Sequence, residues 1–299
     1  MTEEHEFREV EDKMPAPHKR GTKIGAYILT RRISKHPVYL ALHQQTRQKV
    51  VIKQAVPYNR GDGSNPIKIG NLCLLYEADL QKRCEHPNVC PVADIFAHDG
   101  ATYLATPRLG KSLAQRIEKG LSQLEKLLIL QGTAKALAQC HSKGVVHLDV
   151  KPGNIMASRT KSKLIDFGAG RVMGEQHPYT PSGVCVGTTH ALAPEYLRFD
   201  TYSPKSDTFS FSLMAYRMLT GHEPYGGTEN GFLYYDLPLF RPEKLDRYTG
   251  IKDLIVRGMN TTISQRPEMK EIADALTEQT AKYRRQPSEA LSTPSLVSL

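Results

Sequence analysis

The sequence predicts an α+β protein of two lobes: a small β-rich lobe with one main helix, then a larger helical lobe, with a cleft between them. Three observations carry this reading. Up to residue 106 the apolar residues come in short β-branched and aromatic runs. From residue 111 onward they recur at helical spacing. Pro107 and Gly110 punctuate the chain at the change, which puts the boundary near residues 108–111. A length of 299 residues suits two lobes that share a cleft.

The elements follow in order. Residues 1–20 are charged, with Pro and His and little apolar content, and read as a flexible N-terminal arm. The first lobe is placed at 21–107. Residues 26–33 and 37–43 read as strands, broken at Ser34-Lys35-His36, and 49–53 is a third β-branched run. A polar loop with Gly61, Asp62, Gly63, Asn65 and Pro66 leads to a helix over 70–84, where Leu72, Leu75, Tyr76, Ala78 and Leu80 supply the apolar positions. Residues 92–96 and 102–106 complete the strands. The second lobe is placed at 108–283. Its helices are expected at 121–142, at 206–220 (ended by Gly221), at 251–259 and at 269–282. Residues 284–299, rich in Ser and Pro, read as a flexible tail.

Composition removes several classes of function. No apolar run approaches the ~20 residues that span a bilayer. The charged N-terminus lacks the apolar core of a secretory signal. Five cysteines (Cys73, Cys84, Cys90, Cys140 and Cys185) form no CxxC pair and are too few for a disulfide framework. A reducing, cytoplasmic setting is expected, with no membrane partner. The formal net charge of +9 is spread along the chain, so no nucleic-acid partner is expected. Cys84 and His86 have no second pair nearby, and zinc is not expected.

The densest chemistry lies in His147-Leu148-Asp149-Val150-Lys151-Pro152-Gly153-Asn154, a loop after the long helix. A few residues on, Lys163-Leu164-Ile165-Asp166-Phe167-Gly168 is a short strand that delivers an Asp onto a Gly turn. Two carboxylates, an amide and an ammonium on adjacent loops suit Mg²⁺-assisted phosphoryl transfer, because Mg²⁺ takes hard oxygen ligands and shares them with phosphates.

These runs resemble the catalytic loop and the Asp-Phe-Gly motif of the protein kinases. The resemblance covers about residues 25–282. Val51-Ile52-Lys53 is similar to the family's third-strand lysine motif, and Glu77 stands where its partner glutamate would be. Ala193-Pro194-Glu195 matches the Ala-Pro-Glu motif, with Gly187-Thr188 just before it. Asp207 resembles the family's buried Asp at the start of the long hydrophobic helix, and Arg266-Pro267 resembles the Arg that pairs with the Ala-Pro-Glu glutamate. Lys151, two residues after Asp149, favours the serine/threonine branch, the eukaryotic-like or Hanks-type kinases. The resemblance implies a bilobal protein-kinase fold, ATP and Mg²⁺ as cofactors, and a protein substrate with a Ser/Thr acceptor; it does not give the oligomeric state. It also implies roles. Lys53, oriented by Glu77, would hold the α/β-phosphates. Asp149 would orient the acceptor hydroxyl and Lys151 would neutralise the γ-phosphate. Asn154 and Asp166 would hold the metal. Val38, Thr106, Pro107 and Leu109 would frame the adenine.

Two departures from the family stand out. No glycine occurs between Gly25 and Gly61, and if Val38-Tyr39-Leu40-Ala41 is the second strand, the phosphate-covering loop is short and lacks its glycines. The expected consequence is a weakened amide cradle and weaker ATP binding, with Lys35 or His36 as possible substitutes. Leu148 stands where the family often has Arg, which argues against activation through loop phosphorylation, although Thr180, Ser182, Thr188 and Thr189 could still be modified. Ala191 replaces an expected aromatic before the Ala-Pro-Glu run, and Phe209 replaces a common Trp. The main alternative is a pseudokinase acting as a binding module; a small-molecule kinase is disfavoured by Lys151 and the Ala-Pro-Glu run. His147, Asp207 and Arg266 read as packed scaffold rather than catalysis. The basic residues of 282–285 read as a solvated helix end.

Overall fold

The computed structural model describes residues 14–59, 62–175, 192–224 and 241–285. The chain opens with β1 (Lys23–Ile24), β2 (Tyr27–Arg32), β3 (Val38–His43) and β4 (Lys49–Gln54). Helix α1 (Pro66–Arg83) follows, then β5 (Asp94–His98) and β6 (Ala101–Pro107). The strands form one antiparallel sheet in the order β1-β2-β3-β4-β6-β5. One side of each strand is buried together: Tyr27, Leu29, Tyr39, Ile52 and Tyr103 close a core in which Phe96 stacks on Tyr27 and Tyr103 at 5.4 and 5.6 Å. Alternation turns Val38, Leu40, Val51 and Lys53 to the other side, facing the cleft.

Residues 14–20 of the expected arm are described, and His18 is docked on the sheet. Its backbone N–H donates to the Tyr39 hydroxyl at 3.2 Å, and its Nε2 lies 3.1 Å from Gln54 Oε1 and 3.3 Å from the Tyr103 hydroxyl. Residues 1–13 of that arm lie outside the described residues.

Helix α1 begins at Pro66 rather than at 70. Asn65 caps it, with Oδ1 accepting from the N–H of Ile67 and Lys68 at 3.0 and 3.2 Å, and proline is tolerated in a first turn whose N–H groups have no intrahelical partner. The buried stripe is also rotated. Leu75 is 44% exposed, while Leu74, Glu77, Ala78 and Leu80 are buried. Gly70 lets the helix press against the exit of β4, since a Cβ there would lie 1.9 Å from the Val56 carbonyl oxygen.

The second lobe runs β7 (Lys111–Ser112), α2 (Leu113–Ile117), α3 (Gln123–Ser142), β8 (Val145–Val146), β9 (Ile155–Ala157), β10 (Ser162–Leu164) and β11 (Arg171–Val172). It continues with α4 (Pro194–Phe199), α5 (Pro204–Thr220), α6 (Lys252–Gly258) and α7 (Met269–Arg285). Ser112, Ser122 and Ser203 cap their helices reciprocally with the residue three positions on. The Ser203 cap and Pro204 start α5 two residues ahead of the predicted Ser206. Helix α7 runs past the predicted Lys282 to Arg285. Leu127, Leu130 and Leu137 of α3, Phe209 and Phe211 of α5, and Ile272 and Leu276 of α7 share one core with no exposed surface. The short strands pair as two small sheets, β10-β9-β7 and β11-β8. Among the described residues no helix is long and apolar enough to cross a membrane.

Candidate active site

The two lobes enclose a cavity of about 900 Å³. Val38, Lys53, Glu77, Thr106, Pro107, Leu109, Asn154 and Asp166 line it, eight of the ten residues singled out from the sequence. The other two, Asp149 and Lys151, reach it through Asn154.

Lys53 stands on β4 beside Val38 of β3. Its Nζ donates to both Glu77 carboxylate oxygens at 2.8 Å and to Asp166 Oδ1 at 3.0 Å. One ammonium therefore joins the sheet, α1 and the segment after β10. Burial would push the Lys53 ammonium down, but Asp166 and then Glu77 raise it above the ordinary lysine range, so it stays charged. Burial pushes Glu77 up to about 7 against the pull of Lys53. Lys53 holds Asp166 down to about 2, against burial.

The folded pKa of Asp166 lies below the ordinary 3.8, so the Lys53 pairing stabilises the fold fully above about pH 4 and is lost as pH falls toward 2. Between about pH 4 and pH 2, below the range in which Glu77 titrates, the gap in unfolding free energy between wild type and Asp166→Asn should shrink as pH falls. Denaturant titrations showing a constant gap down to pH 2 would contradict the pairing.

The loop between β8 and β9 is held from outside. Asp207, in the first turn of α5 and with no exposed surface, accepts the N–H groups of His147 and Leu148, both at 2.8 Å. His141 Nε2 lies 2.8 Å from the same carboxylate. Leu148 takes φ 61, a left-handed conformation rare for a branched side chain. It is buried with Val146, Ala169, Leu192 and Tyr196, so an apolar contact fills the position where a basic side chain was expected. The buried His147 ring sets its Nε2 3.1 Å from the Ile165 carbonyl and packs on Phe167 at 4.9 Å. This agrees with its reading as scaffold.

Past the loop, Asn154 Nδ2 donates to Asp149 Oδ2 at 2.6 Å and to its carbonyl at 3.0 Å. Lys151 Nζ meets the same Oδ2 at 2.8 Å. With its amide nitrogen committed, Asn154 keeps Oδ1 as a hard oxygen donor, on a residue that lines the cleft together with Asp166. That pair of oxygen ligands fits Mg²⁺.

Several contributors escaped the sequence reading. Met156 and Ile165 line the cavity, as does Cys90, whose thiol is pushed up to about 11, chiefly by burial. Strand alternation on β9 was the available signal for Met156. Arg32, whose guanidinium folds over the turn between β2 and β3, carried no signal. Of the sequence expectations, Gly187-Thr188, Thr180, Ser182, Thr189, Ala191, Cys185 and the tail from residue 286 lie outside the described residues.

Fold and cleft together define a two-lobed domain whose charged side chains gather in the cleft. The chain belongs to the protein kinase domain family, whose sequence profile matches residues 35–295. It is 33% identical over 216 residues to the serine/threonine-protein kinase pkn2 of Myxococcus xanthus, covering 67% of this chain and 26% of that protein. It is 29% identical over 243 residues to sperm motility kinase 2B of Mus musculus, covering 79% of this chain and 47% of that protein. Over 100 residues it is 37% identical to the serine/threonine-protein kinase PknB of Mycobacterium leprae, covering 33% and 16% of the two chains. The matched part is less than half the length of each of these relatives. The binding-module alternative draws no support from them.

Proposed function

We propose that this chain is an ATP- and Mg²⁺-dependent serine/threonine protein kinase that transfers the γ-phosphate to a protein hydroxyl. The observation that carries the reading is the junction at Lys53, bonded at once to Glu77 and Asp166 across the cleft from the Asp149–Lys151–Asn154 cluster. Asn154 and Asp166 would hold Mg²⁺, which when bound neutralises phosphate charge. Lys53 orients the α/β-phosphates. Asp149 accepts or orients the proton of the acceptor hydroxyl, and Lys151 places a positive charge beside it. Thr106, Pro107 and Leu109 offer the edge along which adenine lies; Pro107 contributes only its carbonyl. Leu148, being apolar and buried, has no charge to offer a phosphorylated loop.

The test is transfer of labelled γ-phosphate from Mg-ATP to the chain itself and to a generic basic protein, followed by phosphoamino-acid analysis. Label on serine or threonine in the wild type, and none with Lys53→Met, is the expected result. An unlabelled wild type that also shows no change in melting temperature with Mg-ATP would overturn the reading.

A further inference from the structure

Resting on the kinase reading above, we infer that residues 14–20 form a strap behind the sheet, and that His18 within it is a positioning residue that aims Lys53 into the cleft. The strap lies ahead of residues 35–295, the part that the family profile matches. Its end is fastened to β2, where the Gly21 N–H donates to the Leu29 carbonyl at 2.8 Å and the Leu29 N–H donates to the Thr22 carbonyl at 2.9 Å. Within 14–20 only Pro15 and His18 are part-buried; the other five residues are exposed. His18 is the one that reaches across β3, β4 and β6.

The contacts of His18 follow one row of the sheet. Lys53 pairs with Val38 on one neighbouring strand and with Leu104 on the other. His18 touches the chain neighbour of each member of that row. Its N–H donates to the hydroxyl of Tyr39, next to Val38, at 3.2 Å. Its Nε2 lies 3.1 Å from Oε1 of Gln54, next to Lys53, and 3.3 Å from the hydroxyl of Tyr103, next to Leu104. An amide oxygen only accepts, so Nε2 carries the proton and donates. The imidazole centre lies 5.5 Å from that of the Tyr39 ring and 6.3 Å from that of the Tyr103 ring. Tyr39, Gln54 and Tyr103 are all buried. Successive side chains of a strand point to opposite faces. Backbone bonds set the spacing of the three strands but leave each a small roll about its own axis. Tying Tyr39, Gln54 and Tyr103 to one imidazole behind the sheet removes that roll. It thereby fixes the direction in which Lys53 leaves the front, toward Glu77 at 2.8 Å and Asp166 at 3.0 Å.

A strap that only adds stability would lower Tm and leave ligand binding alone in a variant folded at the assay temperature. One that aims Lys53 acts on the ligand that needs Lys53, so adenosine and Mg-ATP separate the two roles. Calorimetric titration of the full chain should show that His18→Ala weakens Mg-ATP by about fivefold or more, the worth of one hydrogen bond, while adenosine affinity stays within about twofold. His18→Gln, which keeps a side-chain N–H, should recover part of the loss. In steady-state transfer assays KM for ATP should rise more than kcat falls. Should His18→Ala fail to fold, Tyr103→Phe, which deletes one hydroxyl from the same contact, reads the same contrast. Unchanged Mg-ATP affinity in a folded variant would overturn the inference. Equal weakening of both ligands would also overturn it, since that belongs to general support of the sheet. Either result leaves the kinase reading intact if the wild type transfers phosphate. A wild type that binds neither ligand and transfers nothing would overturn both.

Discussion

Asp149→Asn should lower kcat for phosphate transfer by about 10²–10⁴-fold, the usual worth of a positioned general base, with little change in Mg-ATP affinity. The geometry explains both halves of the expectation. Asp149 Oδ2 already gathers the Asn154 amide at 2.6 Å and the Lys151 ammonium at 2.8 Å, so the carboxylate is fixed before any substrate arrives. Asparagine preserves the size of the group but not its charge or basicity. Asp149 lies outside the set of residues that line the nucleotide-sized cavity, so binding should survive. Stopped-flow or steady-state transfer, paired with calorimetry, reads the two quantities separately. A fall of less than tenfold would remove Asp149 from the reaction.

Arg266→Ala should cost about 3–5 kcal/mol of folding stability, because it strands a buried carboxylate. Arg266 is 1% exposed and forks onto Glu195, Nη1 to Oε1 at 2.7 Å and Nη2 to Oε2 at 2.9 Å. Its Nε donates to the Asn260 carbonyl at 2.7 Å, and its guanidinium lies 4.8 Å from the centre of the Phe209 ring. Ser206 Oγ donates to the same Glu195 at 2.8 Å. In a domain of this size the loss corresponds to about 10 °C in Tm. The double change Arg266→Met with Glu195→Leu should cost much less, since no charge is left unpaired. Urea titrations in which the single and double variants are equally destabilised would refute the account.

The sequence carried the junction residues well because they combine two independent signals. Lys53 closes a β-branched run, and Glu77 lies on a helix long enough to show its period; the structure joins them at 2.8 Å. What it did not carry was local and aperiodic. The start of α1 depends on a cap at Asn65, one side chain ahead of a proline that also reads as loop. Helices α2 and α4 have five and six residues, too short to repeat a pattern. A bulge between Leu29 and Arg31 shifts the register of β2 against β3 and cannot be seen in an alternation only a few residues long. His18 docks on the sheet through a side-chain direction that no spacing encodes.

Asp207 holds the loop from a distant part of the chain. The two amides it grips belong to His147 and Leu148, yet the grip itself comes from α5, some sixty positions downstream. The shape of the loop is thus inherited from a residue that the loop does not contain. Position 148 takes a left-handed backbone that its own side chain does not hold, and its leucine packs on Val146, Ala169, Leu192 and Tyr196 without touching the grip on the loop. The fold of the loop and the side chains it presents are thus encoded at separate places in the chain.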